Sequence, residues 1–323
     1  VNGSASDDQV QAVARMIAAL TPKVDAETVR TMVAEQYGTY SAEVMAKVDA
    51  RIAEVTAPVE LTVTQPSGES VKISGAHKIL PTLVTIVGNA RKHVLMVGPA
   101  GTGKSKLASQ VAEALSLAFR EISLSPAMSP TALLGYMTAD GTYVSTAFRQ
   151  VYEHGGVFHF DEMDNSHPSI LAVINAALAN GHCEFPDARI TKHQDAYIVA
   201  SANTYGRGPD RVYVGRQALD GSTLDRFVVV PVDYDAGLES DLCNATGLDG
   251  NKVAHVLRYV RQIRANAESG KMALIFSIRG SVNLCSLLQA GIAPDDAIEY
   301  TIRKGISDGD WSKVTSGVPS PNL

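Results

Sequence analysis

Cysteine is scarce in this chain, and its three examples, Cys183, Cys243 and Cys285, lie too far apart to suggest a paired framework or the spacing of metal ligands. A disulfide-stapled scaffold and a zinc knuckle are both excluded. No apolar run reaches the roughly 18 residues that a membrane helix needs, and no basic start leads into an apolar core at the N-terminal side. A cytoplasmic protein is expected, without a membrane partner. Positive charge is also short, since 28 Lys and Arg stand against 34 Asp and Glu for a net charge of -6. That balance gives no general attraction to nucleic acid, although a local basic stripe could exist. What is present, 45% hydrophobic and 19% charged residues over 323 positions, is the composition of a globular chain of about two domains.

Residues 1–57 read as a three-helix appendage: Ser6 with Gln9 makes a capping-box start, and Val10, Val13, Ile17 and Leu20 then recur at helical spacing. Residues 58–92 read as a hairpin and linker. Val59, Leu61 and Val63 alternate, Gln65-Pro66-Ser67-Gly68 is turn chemistry, and Val71 and Ile73 follow. Between residues 93 and 235 apolar strands (HVLMV, FREISL, VFHF, AYIVASA, FVVVPV) alternate with helical stretches. This predicts an α/β fold, a doubly wound parallel sheet covered on both faces. Residues 236–310 read as a small helical domain, with Val253, Val256, Leu257, Val260 and Ile263 on one helix face, Val282, Leu287 and Leu288 on another, and a further helix after Pro294. Residues 311–323 are polar and rich in Pro, Gly and Ser, and read as a mobile tail.

The first strand, HVLMV, runs into Gly98-Pro99-Ala100-Gly101-Thr102-Gly103-Lys104-Ser105 and then, through Lys106, into a helix. Gly98-x4-Gly103-Lys104-Ser105 is the phosphate-binding loop pattern in the strand-loop-helix setting it requires. Its glycines let the backbone wrap closely, successive N–H groups and the helix N-terminus present positive potential, and Lys104 adds a full charge. Ser105 supplies a hydroxyl for Mg2+. The strand VFHF ends in Asp161 and Glu162, adjacent carboxylates that raise each other's proton affinity. A divalent cation at Asp161 resolves the conflict and leaves Glu162 to polarise an attacking water. His159, in a strand buried on both faces, needs a hydrogen-bond partner, and with His154 and His167 it forms no H-E-x-x-H pattern. Asn203, at the end of AYIVASAN, can orient water or touch a terminal phosphate without adding charge. Arg226, in LDRF, lies too far along the sheet for its own nucleotide but suits a neighbour's. Arg279, in SIR, can fold back on the phosphates of its own chain. Arg207, Arg211 and Arg216 are weaker interface candidates.

With GPAGTGKS, VFHFDEMD, the strand ending SANT, LDRF and SIR in place, residues 75–305 resemble the AAA+ ATPases, and within them the branch of the MoxR proteins and the cobalt chelatase ATPase subunit. The resemblance implies Mg2+ and ATP bound between the sheet domain and a helical lid, a homo-oligomeric ring, usually a hexamer, and hydrolysis at subunit interfaces. It also implies a protein client, which nothing in the residues identifies. Residues 133–147 look like the hairpin this branch inserts, with Asp140-Gly141 as its turn. A nucleic-acid motor and an ATP-gated scaffold with little turnover stay open as alternatives. His159 stands where the family usually has an aliphatic residue, and residues before 58 match nothing in the branch.

Overall fold

The computed structural model describes residues 59–64 and 70–323. The helices expected over 1–57 and the turn expected at Gln65-Pro66-Ser67-Gly68 lie outside the described residues. The described chain divides into two units, Val59–Asp235 with Ala267–Arg279, and Ala236–Asn266 with Gly280–Leu323.

The first unit opens with the expected antiparallel pair, β1 (Val59–Thr64) and β2 (Ser70–Ala76), in which Leu61 faces Ile73 and Val63 faces Val71. A short helix α1 (Leu80–Val84) follows, then β3 (Val94–Val97), α2 (Lys104–Leu115), β4 (Phe119–Ser123) and α3 (Thr131–Leu134). Next come β5 (Tyr136–Met137), β6 (Tyr143–Val144), α4 (Ala147–His154), β7 (Gly156–Asp161) and α5 (Pro168–Ala179). The unit continues through β8 (His182–Glu184), β9 (Arg189–Thr191), β10 (Ala196–Ala202), α6 (Gly221–Leu224) and β11 (Val228–Pro231).

Five of these strands form one parallel sheet in the order β11-β3-β10-β7-β4. The three inner strands are buried almost throughout, as continuous apolar runs in a parallel sheet should be, because both faces are covered. Leu95, Phe158, Phe160, Ile198 and Ala200 point to one side, where Phe148 and Tyr152 of α4 and Ile170 and Ile174 of α5 pack on them. Val94, Met96, Val157 and Val199 point to the other, against Leu107, Ala108 and Val111 of α2 and Leu80 and Leu83 of α1. Phe148, Phe158 and Phe160 form an aromatic cluster with ring centres 4.9 to 5.6 Å apart. Each such ring, fully buried, contributes about 1.5–3 kcal/mol.

The segment 133–147 does contain a hairpin, β5 with β6. It closes through Ala139-Asp140-Gly141, with the Thr138 N–H donating to Thr142 O at 2.8 Å, so its loop is one residue longer than a turn on Asp140-Gly141 alone. Arg149 of α4 ties it to the β8–β9 hairpin, pairing with Asp187 at 2.7 Å while its guanidinium lies over the rings of Phe185 and Tyr143.

The second unit is helical: α7 (Ala236–Asn244), α8 (Gly250–Ser269) up to Asn266, α9 (Ile278–Gln289) from Gly280, α10 (Pro294–Ile298) and α11 (Asp308–Val314). Val253, Val256, Leu257, Val260 and Ile263 are buried along α8 as expected. On α9 the expected face is corrected. Ile278, Ser281, Leu284 and Cys285 are buried, whereas Val282, Leu287 and Leu288 are half-buried. Ser281 takes an inward position because its hydroxyl donates to Glu239, itself fully buried and paired with Arg261 at 2.9 Å and Arg264 at 2.7 Å. The mobile tail expected from 311 is corrected as well. Residues 311–314 complete α11, whose start is capped by the Ser307 hydroxyl accepting from the Asp310 N–H, and Val314 is fully buried.

Candidate functional site

Phosphate-binding crevices in open α/β sheets lie beyond the carboxyl ends of the strands, where neighbouring connections part. Here β3 delivers the glycine-rich loop to that edge, β10 delivers Asn203 and β7 delivers Asp161 and Glu162. Two glycines of the loop are dictated by geometry. Gly103, just before α2, has φ +91°, and a Cβ on Gly98 would meet the Val232 carbonyl oxygen at 2.0 Å. No side chain caps the N-terminus of α2, so its leading N–H groups remain available to an anion.

A cleft of about 340 Å³ is lined by Ala100, Gly101, Gly103, Lys104, Ser105, Lys106, Asp161, Glu162, Asn203 and Arg279, together with Ser201 and Ala202. Ten of the residues singled out in the sequence therefore meet around one space. Gly98 and Pro99 line an adjoining cleft with Tyr205 and Tyr213. Thr102 is buried inside the loop, its hydroxyl donating to Pro99 O at 3.1 Å. Arg226 lines neither cleft.

Within the site, Lys104 Nζ donates to Gly98 O at 2.7 Å, Pro99 O at 2.9 Å and Asn203 Oδ1 at 3.1 Å. The ammonium thus couples the loop to the tip of β10. The Ser105 hydroxyl donates to Asp161 Oδ2 at 2.9 Å, while Asp161 Oδ1 accepts from the Glu162 N–H at 2.9 Å and from the Ser201 hydroxyl. Burial pushes the Asp161 carboxyl up, but these hydrogen bonds outweigh it and hold its pKa below the usual carboxylate value. His159 is completely buried and finds its partner in Ser201, at 3.1 Å from Nε2. Burial lowers its pKa, against the opposing pull of Asp161 and Glu121.

Glu162 sits in the left-handed region at φ +55°, a conformation that costs a non-glycine residue of order 1–3 kcal/mol and clusters at functional sites. There the chain breaks from β7, and the Glu162 side chain lines the cleft beside Asp161. Its two oxygens meet Arg216 at 3.2 Å and Asn165 at 3.4 Å. Arg216, read in the sequence as an interface candidate, faces this chain's own Glu162 and also lies 3.6 Å from the fully buried Asp164.

Asp164 and two tyrosines escaped the sequence reading. Asp164 Oδ2 accepts from the N–H groups of Asn203 and Thr204 at 3.1 and 2.9 Å and from the Thr204 hydroxyl at 2.8 Å, fixing the chain just past β10. The Ala100 N–H donates to the Tyr213 hydroxyl at 2.7 Å and the Tyr234 hydroxyl donates to Ala100 O at 3.0 Å, so the peptide groups on both sides of Ala100 are held. The available signal was the run DEMDN, in which a second acid follows Glu162 by two residues.

Ser105 and Asp161 are the residues that could hold a cation. Mg2+ characteristically takes one or two carboxylates and leaves its other positions to phosphates and water, and this donor pair fits that habit. Among the described residues, no group of three or more His, Cys, Asp and Glu side chains forms a ready-made metal cage.

Sheet order, loop and acidic strand tip together define an α/β P-loop domain. Residues 93–227 match the family described as AAA domain (dynein-related subfamily), a stretch that runs from the residue before β3 to Phe227. The match covers the glycine-rich loop, the acidic strand tip and Asn203, and makes this stretch similar to that family. Among relatives, the chain is 26% identical over 235 residues to an uncharacterized protein of Staphylococcus aureus (strain USA300), covering 67% of this chain and 85% of the relative. A second, from strain NCTC 8325 / PS 47, is 25% identical with the same coverage. Among solved structures, a variant of RuvB from Thermotoga maritima aligns with 80% of this chain and 87% of its own at 14% identity and a TM-score of 0.41. No helix among the described residues is long and apolar enough to cross a membrane.

One pH dependence follows from the site. Burial pulls the Lys104 pKa from 10.5 down to about 8, with Asp161 and Asp164 pulling the other way. The ammonium, the form that attracts phosphate, is present below that value and lost above it. Affinity for ADP should therefore hold steady up to about pH 7 and fall as pH rises through about 8, read by titrating a fluorescent ADP analogue at stepped pH.

Proposed function

We propose that the chain is an AAA+ ATPase that binds and hydrolyses Mg-ATP at the interfaces of a homo-oligomeric ring, hexameric by resemblance, and remodels a protein partner in the manner of the MoxR and chelatase ATPases. The observation that carries this is the convergence of Lys104, Ser105, Asp161, Glu162, Asn203 and Arg279 around one cleft at the strand ends. In this reading the loop N–H groups from Gly101 to Lys106 and the Lys104 ammonium bind the phosphates. Ser105 and Asp161 hold Mg2+, which when bound neutralises charge on the phosphate oxygens. Glu162 accepts a proton from the attacking water, Asn203 orients that water, and Arg279 stabilises the outer phosphate from the same chain. The acidic balance of the chain favours a protein client over nucleic acid.

The test is phosphate release from ATP by the purified protein, compared with Lys104→Ala. Removing a charge-assisted donor to phosphate should weaken nucleotide binding about 10- to 100-fold and lower turnover at limiting ATP accordingly. Equal binding by the alanine variant would remove Lys104 from the site. An intact protein that binds no nucleotide would remove the reading altogether.

A further inference from the structure

We propose that Ser201 and His159 are positioning residues that orient the Asp161 carboxylate, fixing which of its oxygens faces the divalent cation. The inference rests on the reading of Asp161 as a cation ligand. The two oxygens of Asp161 are treated differently. Oδ1 accepts from the Ser201 hydroxyl and from the Glu162 N–H at 2.9 Å, whereas Oδ2 accepts from the Ser105 hydroxyl at 2.9 Å. Oδ2 is thus the oxygen turned toward the loop serine, and Ser105 and Asp161 are the residues that would hold a cation.

Ser201 holds Oδ1 with its single proton, so toward His159 it has lone pairs to offer. The ring nitrogen Nε2, 3.1 Å away, must then carry the hydrogen and donate it to Ser201. That orientation of the imidazole is fixed in turn. His159 is fully buried, and its ring stacks on Phe119 with centres 6.3 Å apart and planes 25° apart. The hydrogen bonds therefore run from His159 on β7 to Ser201 on β10 and return to Asp161 on β7.

A polar pair in the middle of a packed sheet has a cost unless every group is satisfied, and two apolar side chains would fill the same space without that requirement. The residues beside the pair, Val157, Phe158, Phe160, Val199 and Ala200, are all apolar and buried. What the pair provides that they cannot is a directed donor to one oxygen of Asp161. Groups that orient a metal ligand in this way typically alter metal affinity about 10- to 100-fold when removed.

The experiment is a Mg2+ titration of the binding of a fluorescent ADP analogue by the purified chain, with the same binding measured in EDTA and with thermal melting as a control on folding. Ser201→Ala should raise the Mg2+ concentration needed for half-maximal enhancement about 10- to 100-fold while leaving affinity in EDTA unchanged. His159→Leu should shift the requirement in the same direction by less, since it acts through Ser201, and Ser201→Thr, which keeps the hydroxyl, should restore it. The double variant should be no worse than Ser201→Ala alone, because the two residues serve one contact. It also replaces both polar partners together, so it carries the test should the single alanine variant melt early.

A merely structural pair would change melting and EDTA affinity together and leave the Mg2+ requirement alone. That result, or additive effects of the two substitutions, overturns the inference. Nucleotide binding by the unaltered chain that does not depend on Mg2+ at all would overturn the assignment of Asp161 first, and the inference with it.

Discussion

Glu162→Gln should leave nucleotide bound and cut ATP turnover by about 10^2- to 10^4-fold, the usual range for removing a general base. The substitution changes one atom, so the left-handed backbone at φ +55° and the packing of the strand tip are retained. What is lost is the capacity to take a proton. The Glu162 N–H still donates to Asp161 Oδ1, because that contact is made by the backbone, so the Ser105–Asp161 pair is undisturbed. Binding of a fluorescent nucleotide and phosphate release in a single turnover separate the two effects. Release at the parental rate would show that another group accepts the proton. The contact from Arg216 to Glu162 at 3.2 Å bears on this result. A guanidinium there keeps the carboxylate beside the cleft but competes for the lone pair that a water would use.

Much of this candidate site was legible in the sequence because the glycine loop, the acidic pair and Asn203 each come where an apolar run ends, and an apolar run bounded by a polar residue marks a strand tip. The loop that leads to Lys104 leaves β3, Asp161 ends β7 and Asn203 follows β10, and neighbouring parallel strands bring their ends to one edge. Arg216, Tyr213 and Asp164 come instead from irregular chain, where no period indicates direction. Arg216 was read outward, yet it turns in because Glu162 and Asp164 both offer it negative charge. The face of α9 was misjudged for a related reason. Ser281 and Cys285 count as polar or incidental in a hydrophobic pattern, but a buried carboxylate at Glu239 gives Ser281 a partner indoors. At the C-terminal side, average composition concealed α11, because a helix of this length is settled by its cap at Ser307 and by the burial of Val314.

Arg226→Ala should lower turnover by about 10^3- to 10^5-fold in a uniform assembly, while nucleotide affinity changes little. Two observations support its assignment to a neighbour's site. Arg226 follows α6 directly, its N–H donating to Thr223 O at 3.2 Å, and it does not line the cleft that holds Lys104 and Glu162. The decisive form of the experiment mixes Glu162→Gln chains with Arg226→Ala chains. Each chain alone supplies sites that lack one essential group. In a mixed ring, an interface that takes its base from an Arg226→Ala chain and its arginine from a Glu162→Gln chain is complete, so activity should return in part. It should follow the fraction of such interfaces as the mixing ratio is varied. If Arg226 served its own chain, every site would lack either the base or the arginine at any ratio, and stably mixed rings would remain as inactive as the separate variants.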